Sequence, residues 1–140
     1  MKFHLAKGEE YKIMDEMRRN QVQKRLDHAR DSLKDAKTLF SEGAELSYVM
    51  NNLYYTFLYP VLGLIQARQI PAPTQSAAIS VFEREYVQTG IFESRFLDAF
   101  RKTFDLRPAC ECQRNIVNKD IEELMPVAQD FLDAVDKNIQ

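Results

Sequence analysis

The stretch Ser47-Tyr48-Val49-Met50-Asn51-Asn52-Leu53-Tyr54-Tyr55-Thr56-Phe57 carries two patterns at once. Leu46, Met50, Leu53, Phe57, Val61 and Leu64 recur at spacings of three and four, which puts them on one stripe of a helix over about 45–69. Tyr48, Asn51, Asn52, Tyr55 and Tyr59 are offset from that stripe yet stay together. At 100° per residue they span about 100° of the helix circumference. A tyrosine offers an apolar ring and a hydroxyl, so such a face suits a wet cleft, an interface or base stacking. The plainer reading is packing with satisfied hydroxyls, or a homodimer surface. By residue type alone the plainer reading weighs more.

Working outward, the chain reads as helices joined by short breakers. Leu26, Ala29, Leu33, Ala36 and Phe40 define an inward face on a first strong helix over about 19–42, and Gly43 stands where a left-handed residue would end it. Residues 1–18 read as an appendage with a weak partial helix from Glu9 to Arg18. Pro60 falls inside the second helix, where it removes one backbone donor and favours a kink. Ile70-Pro71-Ala72-Pro73 breaks the chain, and Thr74 or Ser76 is a natural cap for a third helix ending near Thr89-Gly90. Phe96, Leu97, Phe100 and Phe104 mark a fourth helix to Leu106. A fifth opens at Asn118 or Asp120 and turns Ile121, Leu124, Ala128, Leu132 and Val135 inward. The expectation is an all-α fold, an antiparallel four- to five-helix up-down bundle, with residues 1–18 as appendage and 19–140 as the domain.

With 140 residues, the chain has room for one domain and a real core. Four glycines and five prolines leave little material for an all-β fold. The formal net charge of −2 argues for neither nucleic acid nor membrane by itself. Its distribution is uneven, with an acidic segment after residue 119 and basic excess in 1–40 and 93–119. No uninterrupted apolar run of about 18 residues is present, and the first residues lack the apolar core of a signal peptide. The expectation is a cytoplasmic protein with no membrane association.

Chemistry-bearing motifs are few. Gly-rich phosphate loops, nucleophile elbows, HExxH and CxxC are all missing. Neither His4 nor His28 has a carboxylate three residues before it, so a di-iron bundle is disfavoured. Cys110 and Cys112 are too close to bridge and too few for a zinc site, and read as reduced thiols. No cofactor and no metal are expected. Arg107, at the end of the fourth helix, has the planar donor fork that stabilises a phosphoryl anion. Glu111 is a titratable candidate beside it, though a plain Arg107–Glu111 pair one helical turn apart is the simpler alternative. His28, beside the apolar stripe of the first helix, reads as surface or packing.

In order and spacing these segments resemble the HEPN superfamily, most closely its small stand-alone prokaryotic branch of uncharacterised proteins. The matching pieces are Leu26-Asp27-His28-Ala29-Arg30-Asp31-Ser32-Leu33 with Ala36, Leu39 and Gly43; Asn52-Leu53-Tyr54-Tyr55-Thr56-Phe57; Pro73-Thr74-Gln75-Ser76; Phe82 through Gly90; Arg107-x-x-Cys110-Glu111-Cys112; and the Ala128–Leu132 helix. They cover about residues 22–136. The resemblance implies a bundle that dimerises, with functional residues at the dimer cleft. It also implies a possible small nucleotidyltransferase partner in a toxin–antitoxin pair. Active members are metal-independent ribonucleases with an Arg-x(4–6)-His motif, the histidine moving protons and the arginine steadying the phosphorane charge.

In this chain the positions where that histidine would fall after Arg107 hold Cys112, Gln113 and Arg114. The Thr-His-Ser often found before the third helix is Thr74-Gln75-Ser76. The leading expectation is therefore a non-catalytic or weakly active protein. It would bind a nucleotide, RNA or a partner protein through a cleft of Tyr48, Asn51, Asn52, Tyr55 and Arg107. The alternatives are a ribonuclease toxin working through Arg107 and Glu111, and a structural accessory subunit.

Overall fold

A computed structural model describes residues 7–72, 74–108 and 115–139, with side chains from residue 16 onward. Five α-helices account for most of the chain: α1 Lys7–Ser41, α2 Leu46–Ala67, α3 Gln75–Phe82, α4 Ser94–Leu106 and α5 Asn118–Asn138. No strand occurs among the described residues. The backbone of α1 is continuous from Lys7, so the partial helix and the first strong helix are one element.

Local chemistry explains the boundaries. After α1, Gly43 adopts φ 74°, and the amides of Gly43 and Ala44 donate to the carbonyls of Phe40 and Leu39. Thr74, extended, accepts the Ala77 amide on its hydroxyl at 3.0 Å and so caps α3. At α5 the Asp120 carboxylate reaches back to the Val117 amide at 3.0 Å, which holds its pKa below the ordinary aspartate value. α2 runs through the buried Pro60 to Ala67.

After Phe82 the helix widens into a π-helical turn, Glu83–Val87, closed by a Gln88 amide to Glu83 carbonyl bond of 2.8 Å. The 3.6-residue pattern gave no sign of this turn. Its effect is to bring the Tyr86 hydroxyl onto the Leu64 carbonyl at 2.9 Å.

Two pairs of helices, α1 with α2 and α4 with α5, run in opposite directions. On α1 and α2, His28 meets Tyr59 while Arg25 meets Gln66. On α4 and α5, Arg95 pairs with Asp130 while Lys102 pairs with Asp120. Gly63 lets α1 and α2 approach: a Cβ there would stand 3.0 Å from the Arg25 side chain and 3.2 Å from the Val22 Cα. The inward positions expected on α1, α2, α4 and α5 are buried, apart from the partly covered Phe40, Leu46 and Phe104. Phe131, not among the positions expected inward, is the centre of an aromatic core. Its ring lies 5.3–5.8 Å from those of Phe57, Phe82, Phe92 and Phe96. Offset and edge-to-face ring pairs of this kind add about 0.5–1.5 kcal/mol each beyond burial.

Candidate functional site

α2 buries one face and leaves the tyrosine–asparagine face half open. Tyr48 is 60% exposed, the largest apolar side chain so exposed among the described residues. Asn51, Asn52, Tyr55 and Tyr59 are half-buried. Asn52 donates from Nδ2 to the Tyr48 carbonyl at 3.0 Å, and Thr56 donates to the Asn52 carbonyl at 2.8 Å. These bonds stay within the helix, so the outward oxygen of Asn52 remains available.

Along this face the rings form a ladder. Tyr55 and Tyr59 stack with centroids 5.2 Å apart and planes 20° from parallel. His28, exposed on α1, meets Tyr59 edge-on at 5.7 Å. In the other direction Tyr54 lies 5.4 Å from Tyr55. Tyr54 is itself buried, and its hydroxyl donates to Gln75 Oε1 at 2.7 Å, in the first turn of α3.

Arg107 ends the ladder. The chain leaves the helix at this residue, with φ −65° and ψ 153°. Its guanidinium folds back over the Phe104 ring at 3.7 Å and the Tyr54 ring at 5.3 Å, and Nη1 donates to the Phe104 carbonyl. Among the described residues no carboxylate pairs with it. Leu106 is the last residue of α4, and the alternative pairing of Arg107 with Glu111 falls on residues that are not described. Glu111, Cys110 and Cys112 lie outside the described residues.

Burial pushes the Tyr54 phenol up to about 12, against the opposing pull of Arg107. Tyr54 is therefore a neutral donor throughout the physiological range and no base. Among the described residues no group of three or more His, Cys, Asp and Glu is placed to hold a metal ion, and no helix is long and apolar enough to cross a membrane.

Of the residues expected in the cleft, the structure brings Tyr55 and Arg107 into one contact network through Tyr54. Tyr48, Asn51 and Asn52 share the face without touching Arg107 directly. Tyr54, Tyr59, Phe104, Gln75 and His28 join the network without having been assigned to the cleft. The only sequence signal for Tyr59 was its place on the stripe. For Arg107 over Tyr54, some fifty residues apart, there was none.

No family model matches the chain, and no solved structure matches it. It is 27% identical over 114 residues to a protein named UPF0332 protein from Thermotoga maritima, covering 80% of this chain and 86% of that one. It is 20% identical over 128 residues to a protein named "Putative toxin MJ0142" from Methanocaldococcus jannaschii, covering 90% of this chain and 86% of that one. Both similarities span most of this chain and most of each relative.

Proposed function

We propose that the chain is a HEPN-type up-down helical bundle, acting as a homodimer, that binds RNA through the exposed face of α2. The observation that carries the reading is the unbroken contact ladder His28–Tyr59–Tyr55–Tyr54–Arg107. Half-exposed tyrosines are sequence-tolerant stacking platforms, each worth about 1–3 kcal/mol per base. An arginine at the end of such a platform suits a phosphate. Tyr48, Asn51 and Asn52 extend the same face.

Binding is favoured over cleavage by distance. Arg107 sits against Tyr54 and His28 against Tyr59, on the α4 and α1 flanks of α2. Five residues of α2 alone add about 7.5 Å of rise. An acid–base group and an anion stabiliser must both be held to one phosphodiester, each within about 3 Å, and no direct contact joins His28 to Arg107 to hold them so.

The second reading is a ribonuclease toxin, favoured by the name of the archaeal relative and by an exposed imidazole on the face. A partner nucleotidyltransferase belongs to that reading. One experiment separates the two: anisotropy and gel analysis of a structured RNA with wild type, Tyr55→Ala, Arg107→Ala and His28→Ala. The binding reading predicts intact RNA, weaker binding by about tenfold or more for Tyr55→Ala, and a shallower salt dependence for Arg107→Ala. Wild-type affinity in both the Tyr55 and Arg107 variants refutes the face. RNA cleavage lost in His28→Ala or Arg107→Ala establishes the toxin reading instead.

A further inference from the structure

Thirteen residues beyond Tyr54 on α2, about 20 Å along its axis, several elements meet around a second feature. It is a cleft of about 410 Å³, within the range of small-ligand sites. Its floor is apolar, made of Val22 from α1, Leu64 and Ala67 from α2 and Ile139 after α5, with Tyr86 and Ile91 at the side. Its rim carries three guanidinium groups, Arg18 and Arg19 from α1 and Arg68 at the end of α2, and among the described residues no carboxylate lines it.

Among the described residues the three arginines are poorly neutralised. Arg68 lies 5.2 Å over the Tyr86 ring and reaches the Glu85 carboxylate only at 3.8 Å. That carboxylate is also engaged by Arg84 at 3.1 Å. Arg18 and Arg19 have no carboxylate partner among the described residues. Three like charges around one apolar depression repel one another, and an anion seated among them relieves that repulsion.

The backbone around the cleft is also irregular. The π-helical turn holds Tyr86 in the wall, with its hydroxyl satisfied by Leu64. Gln69, next to Arg68, adopts a positive φ of 57° although it is not glycine. Such turns and left-handed residues are uncommon in the middle of a fold and concentrate at functional sites.

We propose that this cleft binds an amphiphilic anion, its phosphate or carboxylate head held by Arg18, Arg19 and Arg68 and its apolar body on the Val22–Leu64–Ala67–Ile139 floor. Guanidinium forks match both head groups in bidentate geometry. The floor distinguishes such a ligand from a bare anion.

The test is calorimetric titration of the full chain with phenyl phosphate, octanoate and inorganic phosphate. One or both organic anions should bind at a single site at least tenfold more tightly than inorganic phosphate, and which one binds identifies the head group and body preferred. The exposed Arg18 and Arg19 can be changed without disturbing the core, and thermal melting of Arg18→Ala/Arg19→Ala verifies the fold. Binding should fall at least tenfold in that double variant and in Arg68→Ala. In wild type, amide shifts on titration should centre on Ala67, Tyr86, Ile91 and Ile139. The proposal is overturned by no saturable binding of either organic anion, by affinity no better than that of inorganic phosphate, by binding unchanged in the variants, or by shifts centred elsewhere.

Discussion

Replacing Tyr54 by phenylalanine removes a single hydroxyl, yet its effect on stability should change sign with pH. The hydroxyl is buried and bonded at 2.7 Å to Gln75, whose side chain is exposed and can turn to water. Losing one such bond without stranding its partner costs about 1 kcal/mol at pH 7. Alkaline pH reverses the balance. The phenol titrates at about 12 in the folded chain against 10.0 for the ordinary group. The folded value is the higher one, so Tyr54 contributes its full stability below pH 10 and loses it as pH rises towards 12. At one unit above the ordinary value, near pH 11, that loss is about 1.4 kcal/mol. Wild type and Tyr54→Phe should therefore cross near pH 11, the variant being less stable at pH 7 and the more stable beyond the crossing. Urea unfolding followed by far-ultraviolet circular dichroism at pH 7, 9, 10 and 11 measures the difference directly. Because both proteins carry every other titrating group, those contributions cancel. A difference that stays constant from pH 7 to 11 refutes the buried, neutral phenol.

Other perturbations follow from the packing. Phe57→Ala, at a fully buried ring stacked 5.4 Å from Phe131 and 6.0 Å from Phe100, should cost about 3–5 kcal/mol in chemical unfolding; a loss under 1 kcal/mol would contradict the aromatic core. Gly63→Val should destabilise by about 1–3 kcal/mol, because its Cβ meets the Val22 backbone and the Arg25 stem. A stabilised variant would mean that α1 and α2 are not in close contact there. Asp120→Asn should flatten the acid limb of stability: the folded carboxyl titrates below its ordinary value, so its contribution is present above that value and fades as pH falls through the folded one. Acid titration by circular dichroism reads this, and an unchanged limb argues against the Val117 bond.

The helices were legible because their signals are local. Leu26 through Ala36, Gly43, Thr74 and the Ile121–Val135 pattern each act within a turn or two, and each element they mark is present. Phe131 and Tyr54 were not legible as core, since periodicity assigns a face but not which of two neighbouring large residues lies deepest. The widening at Glu83 escaped because one extra residue per turn leaves composition unchanged. The candidate face was half legible. Tyr55 and the asparagines share a helix, whereas the placing of Arg107 depends on how the end of α4 folds over α2. The arginine-rimmed cleft takes residues from within α1, from the ends of α2 and α5 and from the π-helical turn, and no single stretch of sequence announces it.

The π-helical turn also makes this part of the chain unequally tolerant of changes in length. Deleting one residue between Glu83 and Val87 would let the wide turn relax to ordinary helical winding. Residues on either side would keep their phase, because the wide turn holds one residue more than ordinary winding needs. A deletion in the ordinary winding of α3 has no such slack and swings the side chains on one side of it by about 100°. Tyr86 is the exception within the turn, since its own loss removes the bond to the Leu64 carbonyl and the ring under Arg68. A one-residue deletion scan across residues 76–87 should therefore give a higher folding yield at Arg84 or Glu85 than at the buried turns of α3 or at Tyr86.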